Sequence, residues 1–243
     1  MQPEDGTLVG RVVGLWRYPV KSMGAESLPQ VNAGWFGLDG DRRWAFVRSG
    51  QAQSGFPWLT LRDRADMRQF MPTFVDSARP NGSATEVVTP NGTRFDITDP
   101  ALARELWPKG AHVVRYDRGI FDTFPLSLIS TRTIAQLGER VGQPLDVQRF
   151  RPNLLIEATG ETPFPEDAWV GQVLRIGAAR IRVDVRDRRC VVISIDSDTA
   201  QSNRDVLRTV TRERDGCLGV YGTTVDPGSV CVGDDVWLEG ARD

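Results

Sequence analysis

The sequence predicts a mainly β chain of barrel or sandwich type, divided into two domains and carrying a few short helices. Three observations carry that expectation: many short runs rich in β-branched residues, turn residues between most of them, and no alternation of strand with helix patterns. Runs at 8–16, 44–48, 86–89, 94–97, 112–116, 126–129, 154–156, 173–176, 180–185, 191–195, 229–232 and 235–238 are each of strand length. Asp39-Gly40, Asn81-Gly82 and Asn91-Gly92 are turn dipeptides, and Asn91-Gly92 between two runs predicts a hairpin. No glycine-rich phosphate loop follows a strand, which argues against a dinucleotide fold.

Three helices are expected. The first opens at Asp99-Pro100, a cap followed by proline at the first helical position, and stops before Pro108. The second runs from a Ser130 or Thr131 cap through Ile134, Leu137 and Val141, which share one helical face. The third starts near Ser202, buries Val206, Leu207 and Val210, and ends at Gly216. With 243 residues against a typical domain of about 100–200 residues, two small domains are expected. The least structured stretch, 117–124, places the boundary so that residues 1–120 and 121–243 form the two.

Composition narrows the function. The chain is 40% hydrophobic and 26% charged, the balance of a globular protein with a real core. A net charge of -2 gives no bulk electrostatic footprint for nucleic acid or an anionic membrane, so neither is expected as a partner and any anion site is local. Lysine occurs only at Lys21 and Lys109, and arginine supplies the other cations. Cys190, Cys217 and Cys231 form no CxxC pair and are odd in number, which points to a reducing compartment and excludes an iron–sulfur cluster held by this chain alone. With no leader pattern at the amino terminus and no run of 18 apolar residues, a cytoplasmic protein is expected. A single histidine, His112, rules out multi-histidine metal sites and haem pairs.

Four segments carry candidate chemistry. Tyr18-Pro19-Val20-Lys21-Ser22 presents an ammonium and a hydroxyl after a proline bend, both donors to a phosphate, or else forms a solvated turn. In Asp39-Gly40-Asp41-Arg42, the Arg42 guanidinium either forks onto a phosphate or carboxylate ligand or pairs with Asp39 or Asp41. Arg149-Phe150-Arg151-Pro152-Asn153 enters a strand. Alternation there puts both guanidiniums on one face and Phe150 in the core, with Asn153 offering an amide edge; a charged edge strand is the other reading. Arg186-Asp187-Arg188-Arg189-Cys190 places a thiol behind three arginines at the start of the run 191–195, a basic approach that favours the thiolate, the form that binds metal. Cys217 and Cys231 are expected to be inert and buried.

Together these segments resemble the MOSC family over residues 7–239. Tyr18 to Ser22 with Gly24 resembles the signature of its N-terminal β-barrel domain, with Met23 where a cysteine is usual. Arg151-Pro152-Asn153 and Arg189-Cys190 resemble its later motifs, and Pro163-Phe164-x-Glu166-Asp167-x-Trp169, Ile176-Gly177, Asp196-x-Asp198-Thr199, Gly219-x-Tyr221 and Gly233-Asp234 follow its order. The resemblance implies two β-barrel-like domains, an N-terminal MOSC β-barrel domain at 1–120 and a MOSC domain at 121–243. It also implies a molybdenum cofactor (Mo-molybdopterin) held between them, and the family is further associated with pyridoxal phosphate binding. Cys190 is then the metal ligand and catalytic centre. Lys21, Ser22, Arg42 and Arg151 hold the pterin and its phosphate, with Asn153, Thr123 and Tyr221 nearby. The implied activity is reduction of an N-hydroxylated small molecule, with electrons from a separate flavoprotein or iron–sulfur protein. A cofactor-binding or sulfur-carrier module without turnover is the alternative, and a purely structural β-barrel a third reading.

Overall fold

The computed structural model describes residues 6–51 and 53–239. Strand β1 (Gly6–Arg17) is followed by the short strands β2 (Glu26–Ser27), β3 (Gln30–Gly34) and β4 (Gly37–Leu38), then by β5 (Trp44–Arg48). A meander of β6 (Met71–Phe74), β7 (Thr85–Val88) and β8 (Arg94–Asp96) leads into helix α1 (Pro100–Leu106) and strand β9 (Ala111–Arg115). The second half runs through β10 (Leu126–Ser130), α2 (Thr131–Val141), β11 (Leu154–Ala158), β12 (Val173–Ile176), β13 (Ala179–Arg188), α3 (Arg204–Arg214), β14 (Cys217–Asp226), β15 (Gly228–Cys231) and β16 (Asp235–Glu239). The chain is thus mainly β, with three α-helices among the described residues.

Seven strands close into a barrel in the order β11-β10-β14-β13-β12-β16-β1, and β1 pairs back onto β11. All neighbours are antiparallel except β10 and β11. Closure leaves no free edge, and alternating side chains fill the interior: Val12, Leu15, Leu128, Ile156, Leu174, Ile181, Val183, Val220 and Val236 are all buried there. The barrel borrows β1 from the first half, and β15 from the second half pairs with β3. A cut at residue 120 therefore does not fall between sheets. A second core packs Val20, Met23, Phe46, Met67, Phe70 and Leu102 of the first half against Ile195 of the second. A third lies under α2 and α3.

The three helices form, the first two with the expected caps: Asp99 accepts from the Ala101 amide and Ser130 from Thr133, while the third, expected to start near Ser202, is capped by Asn203, which accepts from Asp205. The Asn91-Gly92 turn joins β7 to β8, with Val88 opposite Arg94. Two strand expectations fail. The run 191–195 is not a strand: Val191–Ser194 is a 3-10 turn, because its β-branched residues are shared between two cores, Ile195 in one and Ile193 in the other. Conversely β14, ten residues long, escapes the composition rule because Gly219 and Gly222 interrupt its apolar pattern. Both are required by close approach. A Cβ at Gly219, whose φ is +72°, would stand 2.8 Å from the Leu128 carbonyl, and one at Gly222 would stand 2.7 Å from the Arg182 carbonyl.

Glu166 anchors α2 to the barrel. Fully buried, it accepts from the Ser130 amide at 3.2 Å and from the Ser130 and Thr133 hydroxyls at 2.8 Å each. Burial pushes its carboxyl above the ordinary glutamate value of 4.5, and these hydrogen bonds oppose the shift only in part. Glu166→Ala is expected to cost roughly 3 kcal/mol in urea unfolding, because it leaves buried donors unpaired. A pKa raised on folding contributes stability that is complete below 4.5 and lost as pH rises through the folded value. The stability of the wild type relative to Glu166→Gln should therefore decline as pH rises above that point.

Candidate functional site

Where the rim of the barrel meets the first-half sheets, a cleft of about 340 Å³ opens. Its wall includes all eight residues expected from the sequence: Lys21, Ser22, Arg42, Thr123, Arg151, Asn153, Cys190 and Tyr221. His112 lies on β9, away from the cleft.

Tyr18, immediately after β1, is the pivot. Two guanidiniums lie over its ring, Arg42 at 4.6 Å and Arg151 at 4.2 Å from the centroid. Its hydroxyl donates towards the Pro152 carbonyl and Gln148 Oε1, both at 3.1 Å. Burial pushes the phenol far above its ordinary value, so it stays neutral. Its amide donates to Asp41 Oδ1 at 2.7 Å, and the Arg42 amide donates to its carbonyl at 2.6 Å.

The buried Asp41 gathers the next layer. It accepts from Arg42 Nη1 and, at 3.1 Å, from Asn153 Nδ2, so of the two aspartates open to Arg42 in the sequence, Asp41 is the partner. Burial opposes the Arg42 charge, but Asp41 outweighs it and holds the guanidinium above its ordinary value. Asn153 is saturated: Nδ2 also donates to the Trp16 carbonyl at 3.1 Å, and Oδ1 accepts from the Ser127 amide at 3.1 Å and Arg42 Nη1 at 3.4 Å. The amide offered by sequence reasoning as a ligand contact is engaged within the protein, and what it does is hold Asp41, Arg42 and β10 in register.

Lys21 is nearly buried. Its Nζ donates to the Ile120 carbonyl at 3.2 Å and to Asp122 Oδ1 at 2.5 Å, and it stands 5.9 Å from the Phe56 ring centroid. Burial draws its pKa down, against the opposing pull of Asp122. Asp122, by contrast, is 56% exposed at its side chain, so water competes for this carboxylate. Ser22, Arg42 and Arg151 all have left-handed backbone, with φ of 69°, 48° and 53°. Three of the described non-glycine residues in that costly region thus meet in one cleft.

The stretch 149–151 is not extended. Val147–Phe150 is a 3-10 turn capped by left-handed Arg151, so strand alternation does not place the arginines. Arg149 runs inward to Asp196 Oδ2 at 2.7 Å and to the Ile193 and Ser194 carbonyls, while Phe150 enters the third core as expected. Arg151 Nη1 donates to the Met23 carbonyl at 2.7 Å, whereas its buried Nη2 has no partner among the described residues. Burial, with Arg42 and Arg68 nearby, brings its pKa down to about 9.

Cys190, half-buried, caps the 3-10 turn that follows β13. Of the three preceding arginines, Arg186 and Arg189 are engaged elsewhere, while Arg188 lines the same cleft. Register shifts along β13 turn Arg186 out to Asp167 and the Arg214 carbonyl, while Arg189 ties Asp187 to the carbonyls of Phe150 and Leu218. The cation beside the sulfur is Arg62, from the loop after β5. Its guanidinium is held above the ordinary value, first by its interaction with Cys190. No sequence signal singles out Arg62, which sits in the mixed run Arg62-Asp63-Arg64-Ala65-Asp66. Cys217 and Cys231 lie outside the cleft and are half-exposed rather than buried.

Asp187 is the other residue missed. It is 1% exposed, and its Oδ2 accepts from the Ser127 hydroxyl at 3.1 Å and pairs with Arg189 at 2.9 Å. Oδ1 has no partner among the described residues. Burial pushes its carboxyl up, opposed by Arg189 and by the Ser127 hydrogen bond, with Tyr221 beside it. Tyr221, on β14 opposite Ser127, packs on Phe124 at 5.9 Å, and Thr123 lies exposed at the mouth.

Lys21, Arg42, Arg62, Arg149, Arg151, Arg188 and Arg189 thus face only Asp122 and Asp187 across the cleft. Nη2 of both Arg151 and Arg189 lacks a partner. Unpaired buried cationic donors are costly, and the arrangement suits an anion rich in acceptors. No cluster of three or more His, Cys, Asp or Glu fit to hold a bare metal ion occurs among the described residues.

The human mitochondrial amidoxime-reducing component 1 is 29% identical over 132 residues, covering 49% of this chain and 38% of that protein. A molybdenum cofactor sulfurase from Drosophila grimshawi is 30% identical over 248 residues, covering 84% of this chain and 31% of that protein. In both cases the match accounts for less than half of the relative's length. The crystal structure of the YUAD protein from Bacillus subtilis superposes with a TM-score of 0.50 over 97% of this chain and 98% of its own, at 11% identity, a likeness of fold. The MOSC N-terminal beta barrel domain matches residues 9–94 and the MOSC domain residues 115–237, so the chain belongs to the MOSC family.

Proposed function

We propose that the cleft binds a pterin molybdenum cofactor and that the protein reduces N-hydroxylated small molecules. The observation that carries this reading is the convergence of one thiol, Cys190, with cationic donors that have no partner among the described residues. Cys190 would ligate the metal, a soft thiolate suiting a metal already held by dithiolene sulfurs. Lys21, Ser22, Arg42 and Arg151 would hold the pterin and its phosphate, with Tyr221 and Thr123 at the mouth and Asn153 positioning the set. Bound there, the cofactor supplies two-electron removal of the oxygen carried by the substrate nitrogen.

The chain's own residues do the rest. Arg62 fixes the sulfur side of the cleft. Phe56, Phe121 and Phe124 line the cleft and displace water from around a flat substrate. Loss of oxygen as water takes two protons with the two electrons, and the raised carboxyl of Asp187, in contact with Tyr221, is placed to hold one of them. The electrons would come from a separate flavoprotein or iron–sulfur protein docking at the mouth, and the reducing cytoplasm, where we place the protein, keeps the thiol available. The long match to a molybdenum cofactor sulfurase supports a second reading, in which the domain carries cofactor or sulfur without turnover.

Turnover of an N-hydroxylated base by the cofactor-loaded protein with a reduced donor separates the two. Its absence, with persulfide found on Cys190, would establish the carrier. Cys190→Ala is expected to lose nearly all molybdenum on purification from a cofactor-competent host and Cys217→Ala to keep it; equal metal by elemental analysis would refute the ligand assignment. Arg151→Ala should lower cofactor retention about tenfold or more while the melting temperature of the apo form stays close to wild type, because it removes a buried, incompletely paired cation. Asn153→Ala should instead destabilise the fold by roughly 2–4 kcal/mol in urea unfolding, because it strands several buried groups. Asp187→Asn should slow turnover about a hundredfold. It should also remove the fall in rate that the wild type shows as pH rises through the raised Asp187 pKa.

A further inference from the structure

Arg151 also lines a second cavity, of about 220 Å³, whose wall includes Trp16, Ser27, Arg68, Gln148 and Ser197. Arg68 carries the argument. It is 5% exposed, and only its Nη1 is engaged, donating to the Ile195 carbonyl at 2.8 Å. Its Nε and Nη2 have no partner, and it makes no ion pair with any carboxylate among the described residues. Gln148 Nε2 and Arg151 Nη2, on the same wall, are likewise without partners.

The like charges make the arrangement costlier still. Burial and the neighbouring Arg149 bring the Arg68 pKa down to about 10, and Arg68 in turn contributes to the fall at Arg151. A guanidinium this deeply buried is ordinarily matched by a carboxylate, and the one carboxylate on this wall, Asp198, is exposed and makes no ion pair with Arg68; the other nearby acids are engaged elsewhere. Asp196 pairs with Arg149, and Asp146 accepts from the Gln148 amide and the Ser197 hydroxyl.

The geometry points to a second anion site in this cavity, one that takes a small tetrahedral oxyanion of the phosphate or sulfate class on Arg68, with Arg151 and Gln148 as additional donors. A tetrahedral oxyanion presents several acceptors to the forked donors of Arg68, and a cavity of this size holds it with bridging water. The site shares Arg151 with the larger cleft but does not rest on the cofactor reading. It needs no metal, and Lys21, Ser22 and Cys190 are absent from its wall.

Titration calorimetry of the full chain with inorganic phosphate tests it. Phosphate should bind the wild type, and Lys21→Ala, which disables the larger cleft, should leave this event in place. Ser27 is exposed on the rim, so Ser27→Glu introduces a carboxylate beside the guanidinium without disturbing the core. It should weaken phosphate by about tenfold or more through like-charge repulsion. Arg68→Lys should weaken it as well, by losing the fork. Glycerol 3-phosphate should bind more weakly than inorganic phosphate; tighter binding would overturn the assignment to a free oxyanion in favour of a phosphoryl group on a larger molecule. The site itself is overturned if wild type shows no phosphate binding, if Ser27→Glu binds as wild type does, or if Lys21→Ala alone abolishes the event. None of these readings depends on molybdenum, so failure of the cofactor proposal leaves this one standing, and the reverse.

Discussion

Strand β1 hydrogen-bonds along both of its edges, to β11 and to β16, and the rest of the molecule depends on that double pairing. It closes the barrel, and because the register is set on two sides, the point at which the chain leaves the barrel is fixed. That point is Tyr18. A ring held there receives Arg42 from one segment and Arg151 from another, and the Asp41 and Asn153 network locks the three segments together. The cleft is a product of barrel closure rather than of loops added to it.

Its chemistry rests on a deliberate imbalance. Surface arginines of this protein mostly find carboxylates, as Arg48 does with Asp63 and Arg180 with Glu239. In the cleft that pattern breaks: nitrogens of Arg151 and Arg189 are buried without partners, and Lys21 is matched only by an exposed carboxylate. Protein stability is spent on holding positive charge in place before a ligand arrives, which is the arrangement that preorganised binding requires. Three left-handed non-glycine residues at the same place carry strain of the same origin.

Much of this was legible in the residues. The strand-rich character and the three helices follow from short-range pattern, since a cap or a turn is decided within a few residues, whereas the eight cleft residues were named through the family resemblance and not by local pattern alone. What failed was non-local. The run 191–195 has strand composition, yet its side chains divide between two cores, and nothing within the run records that. Strand β14 is hidden by glycines whose need arises from the strands beside it. Arg62 reaches Cys190 across more than a hundred positions of sequence, and Arg186 and Arg189 are turned elsewhere by irregularities in β13. Asn153 was read as a contact for a ligand because its residue type allows it; its four bonds are visible only once Trp16, Asp41, Arg42 and Ser127 surround it.

The pairing of Gly6 with Glu239 places the two described chain ends side by side at one extremity of the barrel, while the other end of β1 delivers Tyr18 to the cleft. A strand of this length, 12 residues, spans roughly 35 Å at its usual rise. One strand thus carries the pairing that shuts the barrel at one extremity and the aromatic ring that seats two arginines at the other.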